Sequence, residues 1–207
     1  MAAPEAAAGP AVPLPERARA LLDVWFGPPG DPRREERRAI WFKSTPAHDD
    51  MLRELFLADY ERAAAGLLGE WEAGAESALA LVLLLDQIPR NIFRATPRCY
   101  ATDALARAVA DRALARGFDK QVPPAWRMFL YMPLHHSENL ADQQRATVLA
   151  ASLPDRGDPE RGENRRYGLP YVDVIARFGR FPHRNAILGR ESTPEEIVFL
   201  AQPKPEP

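Results

Sequence analysis

The chain predicts an all-α fold: an array of about eight to ten antiparallel helices with no sheet. Three observations carry that expectation. Apolar residues recur at helical spacing along almost the whole length. Start and stop signals, with Thr, Ser or Pro before a run and Gly or Pro after it, bracket the periodic segments. No segment alternates Val, Ile, Thr and aromatics as a strand does. The 207 residues suffice for one domain with a sizeable core. We expect a single helical domain over residues 14–202, with tails at 1–13 and 203–207, where Ala, Gly and Pro dominate one end and alternate Pro the other.

Residues 14–26 carry Ala18, Leu21, Leu22, Trp25 and Phe26 on one stripe, and Gly27-Pro28-Pro29-Gly30 stops them. Residues 33–41 read as a short, highly charged helix ending at Trp41-Phe42. Thr45-Pro46 opens the next helix, with Asp49 and Asp50 in its first turn, and it is expected to run to about Leu68. Residues 76–86 are apolar nearly all round, so this helix should be central. Asp86-Gln87 is expected at its end, where a buried carboxylate must find a partner.

Thr102-Asp103 reads as the cap of a helix over 104–116, closed by Gly117. Pro123-Pro124 opens another, which Pro133 is expected to end. Ser137 reads as the N-cap of a helix over 138–152. Residues 154–163 form a polar loop, and a helix follows from Asn164 or Arg165 to Phe178. Thr193-Pro194-Glu195-Glu196 starts the last one. The connectors are short, so neighbouring helices should pack antiparallel. An array of tetratricopeptide-like shape fits this order, although the repeat consensus itself is not legible.

Composition excludes several classes. The formal net charge of −2 and the lack of a basic run with interleaved aromatics argue against nucleic acid as a partner. The longest apolar run, 78–85, is far short of the ~20 residues of a membrane span. Cys99 is the only cysteine, so no internal disulfide and no cysteine-based zinc site can form. A lone Cys fits a reducing compartment, and we expect a cytoplasmic protein. No phosphate loop, dinucleotide fingerprint, nucleophile elbow or His-Glu-x-x-His motif is present, and neither a cofactor nor a metal is expected. Oligomeric state is not legible.

Two segments stand out. Asp86-Gln87-Ile88-Pro89-Arg90-Asn91-Ile92 and Arg177-Phe178-Gly179-Arg180-Phe181-Pro182-His183-Arg184-Asn185 both read as a helix ending in a Pro-containing turn that presents Arg and Asn. We expect the two to meet and, with the stretch around His136, to build a polar site. The chain also carries Val24-Trp25-Phe26-Gly27, Tyr131-Met132-Pro133-Leu134-His135-His136-Ser137-Glu138 and Leu140-Ala141-Asp142-Gln143. Taken together with the two turns and the run on to Arg190, these motifs resemble the bacterial domain-of-unknown-function family 924 across nearly all of 18–200. The resemblance implies a tetratricopeptide-like all-α fold and transfers no activity. Two departures show: His135 stands where an acid is expected before His-Ser-Glu, and Tyr171 stands where the family often has a His.

Three readings of the cluster stay open. In the first, Arg90, Asn91, Gln87, Gln143, Arg180, Arg184 and Asn185 line a pocket for an anionic small molecule or a peptide carboxylate, because guanidinium forks and oriented amides suit such groups. In the second, His136 with Glu138, and His183 with Asp86, serve a small hydrolase as acid–base pairs. In the third, acids and arginines cancel in a structural ion-pair network within a scaffold. Glu138 and Asp142 would share a face at i and i+4 of the helix begun by Ser137.

Overall fold

The structure is a computed structural model and describes residues 13–153 and 171–202. The expected tails fall outside these residues except for Pro13, as do the polar loop 154–163 and the expected helix start at Asn164 or Arg165. The described residues form eight α-helices and no strand: α1 Glu16–Phe26, α2 Pro46–Ala64, α3 Ala75–Ile92, α4 Asp103–Ala115, α5 Pro124–His135, α6 Leu140–Ala151, α7 Tyr171–Phe178 and α8 Pro194–Ala201. The all-α expectation holds. None of these helices is long and apolar enough to cross a membrane.

α3 is the centre, with α1, α2, α4 and α5 packed around it. Every residue from 77 to 89 is buried. A fully buried Leu or Val contributes roughly 1.5–3 kcal/mol relative to leaving it exposed, so this helix nucleates the main core. Phe26, stacked on Trp126 at 4.2 Å and edge-on to Trp41 and Phe129, fills the end nearest α1 and α5. A smaller core of Val174, Ile175, Phe181 and Phe199 holds α7, α8 and the turn between them.

Five boundaries differ from the sequence reading, each for a physical reason. Residues 33–38 are turns and not a helix, and only Ala39–Trp41 forms a 3₁₀ turn. Two of their arginines serve α1 instead: Arg34 donates to Asp23 Oδ1 at 2.8 Å, Arg38 donates to the carbonyls of Val24 and Trp25, and Trp41 Nε1 also reaches Trp25 at 2.8 Å. These carbonyls are the orphan acceptors that any helix end leaves. α2 stops at Ala64 because Gly66 takes φ 73°. Leu67 N–H then bonds Arg62 O and Gly66 N–H bonds Ala63 O, a Schellman closure. α6 starts at Leu140, since the Asn139 amide oxygen accepts from Ala141 and Asp142 N–H. Ser137 therefore caps nothing, and Glu138 lies outside the helix that was to place it four residues from Asp142. α5 runs past Pro133 to His135.

The fifth difference matters most for the site. α3 does not end near Asp86 but continues through Pro89 to Ile92. Proline has no N–H, so the carbonyl of Leu85, four residues earlier, loses its partner. Thr102 replaces it, its hydroxyl donating to Leu85 O at 2.6 Å. Thr102 is thus drawn away from capping α4, and makes no side-chain cap bond there. Asp86 consequently sits inside the central helix, not at its end.

Thr102→Val keeps the shape and removes the donor, leaving the Leu85 carbonyl buried and unpaired. We expect a loss of about 1–3 kcal/mol in urea unfolding, and a smaller loss in a Pro89→Ala background, where an N–H returns to that rung.

Candidate functional site

Asp86 is fully buried. A lone carboxylate there would be very costly, and three groups offset the cost. Gln87 Nε2 donates to Oδ2 at 2.6 Å, the Arg90 guanidinium lies 3.3 Å from Oδ1, and His136 Nδ1 lies 2.8 Å from Oδ1. Burial alone would raise the carboxyl's pKa, but Arg90 and the His136 ring outweigh it and hold Asp86 well below the usual range. His136 is pushed the other way from a solvent-exposed imidazole: burial and the neighbouring Arg90 charge lower its pKa despite Asp86. A neutral ring beside a carboxylate donates from Nδ1, so its Nε2 carries the lone pair. Nε2 has no hydrogen-bond partner among the described residues, and the side chain keeps 13% of its surface.

Arg90 lies one turn beyond Asp86. It donates to the Asp86 carbonyl at 2.5 Å and to Asp103 Oδ2 at 3.0 Å. Asp103, at the start of α4, then meets Arg184 at 3.5 Å. Arg184 Nη2 donates to the His136 carbonyl at 2.9 Å. Its guanidinium is sandwiched between the rings of Tyr100 and Phe181, at 4.6 and 4.5 Å from their centroids. Burial, together with the like charge of Arg90, lowers the pKa of Arg184, and its buried Nε has no hydrogen-bond partner among the described residues. Burial and the Asp86 charge push Asp103 up against the pull of Arg90. The two turns and the His136 stretch therefore do meet, with Asp103 as the bridge.

The remaining predicted residues divide among other networks. Glu138 does not pair with His136: it accepts a bidentate fork from Arg190, at 2.7 and 3.0 Å, and the Phe181 N–H at 2.8 Å. Arg180 forks onto Glu196 at 2.6 and 2.8 Å. That hydrogen bond, together with the Thr193 N–H, holds the nearly inaccessible Glu196 carboxyl down at about 2. Asn185 joins the two pairs, accepting from Arg190 Nε and donating to Glu196. Gln143 closes the end of α5, its amide shared by the carbonyls of Leu134, His135 and Ser137. Asn91 leaves the cluster altogether and donates to Asp49 Oδ1 of α2 at 2.7 Å. The imidazole on Asp86 belongs to His136, while His183 lies against Phe181 with ring centroids 5.4 Å apart.

The family model for bacterial proteins of unknown function, DUF924, matches residues 21–204. The chain belongs to the DUF924 family. It is also similar to a protein of unknown function from Agrobacterium tumefaciens whose structure is solved, at 42% identity and a TM-score of 0.76, over 89% of this chain and 96% of that one. No curated protein matches it.

In this DUF924 chain, four site residues were missed in the sequence: Asp103, Tyr100, Arg190 and Glu196. Asp103 and Glu196 read as helix-start acids, and nothing local distinguishes them from others such as Asp49. Arg190 falls after the turn motif, at the end of the stretch carried by the resemblance. Of the two departures, Tyr171 packs edge-on against Phe181 with centroids 5.3 Å apart, and His135 is a half-buried imidazole whose pKa is lowered by desolvation.

The direction of the His136 shift sets a pH dependence. The unfolded chain takes up a proton near the ordinary value of 6.5, which the folded ring resists. Stability from this group is therefore complete above that value and falls as pH drops below it. Between about pH 7.5 and about pH 5.5, His136→Gln should lose less stability than the wild type in urea unfolding. His48 and His135, shifted the same way, keep their share in both proteins.

Proposed function

We propose that the protein binds a small anionic molecule at the face formed by His136, Arg184 and Arg90, and that His136 exchanges a proton with it. One observation carries this reading: an imidazole fixed through Nδ1 on a buried carboxylate, its Nε2 unpartnered by the described residues, beside two guanidinium groups. That arrangement orients a base and keeps it neutral near pH 7. Arg184 supports it further, because it reaches Asp103 only at 3.5 Å, where Arg90 already donates, and its Nε finds no acceptor among the described residues. A carboxylate or phosphate would give the Arg184 fork a second acceptor. The acid–base pair in this reading is His136 with Asp86, in place of His136 with Glu138 and His183 with Asp86. A cytoplasmic setting, with neither nucleic acid nor membrane as partner, goes with it.

A second reading is favoured by the paired arginines. Arg90, Arg180 and Arg190 each meet a carboxylate at 3.0 Å or less, which suits a structural lock inside a scaffold. The two readings separate on titration of the full chain with inorganic phosphate, acetate and succinate, followed by the imidazole resonances. We expect a saturable shift of the His136 signal and a loss of about tenfold in affinity in His136→Gln, the scale of one charge-assisted contact. If no anion moves that signal, the binding reading fails and the lock stands.

A further inference from the structure

Charge alone does not select a ligand at the His136 face. Two carboxylates, Asp86 and Asp103, stand against two guanidinium groups, Arg90 and Arg184, and the ring beside them is neutral. Arg90 lies 3.3 Å from Asp86 Oδ1 and 3.0 Å from Asp103, and Arg184 lies 3.5 Å from Asp103. With these charges balanced, discrimination falls to the pattern of donors and acceptors.

Two polar atoms of that pattern are unused. His136 Nδ1 is committed to Asp86, so Nε2 presents only a lone pair. Arg90 presents the opposite: its two Nη atoms serve the Asp86 carbonyl and Asp103, and its Nε donates to none of the described residues. Neither atom is sealed from solvent, and the two side chains keep 13% and 20% of their surface. Ring and guanidinium meet the same oxygen, Asp86 Oδ1, so acceptor and donor are neighbours. The ring cannot turn to offer a donor instead, because that would strip a hydrogen bond from a fully buried carboxylate.

A fully deprotonated anion, such as sulfate or acetate, brings only lone pairs. It suits Arg90, but against Nε2 it sets one lone pair on another, and Asp103 adds like charge on the far side of Arg90. An anion that keeps a hydroxyl beside its charged oxygens matches both atoms. Its O–H donates to Nε2, and a neighbouring oxygen accepts from Arg90. Hydrogen phosphate has this form near neutral pH, and so has a 2-hydroxycarboxylate. We propose that the His136 face selects oxyanions that carry a hydroxyl donor next to their charge, and rejects oxyanions of similar shape that lack one. The proposal rests on the anion-binding reading above and names the class of ligand for that site.

The test is calorimetric titration of the full chain at about pH 7.5, on the neutral side of the imidazole's ordinary range, with two matched pairs: inorganic phosphate against sulfate, and glycolate against acetate. We expect the hydroxyl-bearing member to bind about tenfold more tightly or better in at least one pair, the scale of one charge-assisted hydrogen bond. A preference in the phosphate pair alone assigns a phosphate ligand, and one in the glycolate pair alone assigns a hydroxy acid. His136→Asn keeps an amide donor for Asp86 where Nδ1 stands and has no atom in place of Nε2. It should bind both members of each pair alike, with circular dichroism checking its fold; the wild-type comparison stands without it. If sulfate and acetate bind as well as their partners, the site takes anions without reading a proton, and this proposal is overturned while the reading beneath it stands. It is overturned too if folded His136→Asn keeps the preference. If none of the four anions binds, both fall.

Discussion

The organisation of this protein follows from one buried carboxylate. Asp86 sits inside the most deeply buried helix, where an unpaired charge is not tolerable. Its side chain engages Gln87, Arg90 and His136 directly. Each of those groups then reaches further. Arg90 extends to α4 through Asp103, and the His136 carbonyl extends to the C-terminal segment through Arg184. Four parts of the chain are thus tied to one charge. The same tie fixes the imidazole and leaves its second nitrogen unpartnered by the described residues.

What could be read in the sequence was local. Thr45 and Thr193 accept from N–H groups three residues on, and both caps follow from short-range rules. The all-apolar stretch of α3 identified the centre, and the two Pro-Arg turns identified two sides of the site. Readings failed where a side chain serves a distant group. Thr102 looks like a cap and instead repairs a carbonyl 17 residues away. Arg34 and Arg38 look like a helix surface and instead close α1. Asp103 looks like first-turn charge and is the bridge between two arginines. Asn91 shares a motif with Arg90, yet its amide goes to α2. No spacing rule carries such information, because it depends on which helices come to lie side by side.

The C-terminal segment shows how polar groups can do the work of a core. Among the described residues its apolar cluster has four buried members. Around it, Arg180 with Glu196 and Arg190 with Glu138 form two bidentate pairs, joined by Asn185. The first pair stays within the segment, while the second attaches it to the stretch after α5. Such pairs have directional geometry that an apolar contact lacks. The position of Phe181, and through it the ring stack on Arg184, is therefore set by hydrogen bonds at Glu138.

The missing rung at Pro89 has an effect beyond its own helix. A gap in a backbone ladder is a unique place along an otherwise uniform rod, and a hydroxyl from another segment can recognise it as an alignment mark. Sliding α4 by one residue along α3 would strand both the hydroxyl and the carbonyl it serves. The proline thereby sets the registration of two helices, and with it the distance at which an acid on one can meet a base on the other.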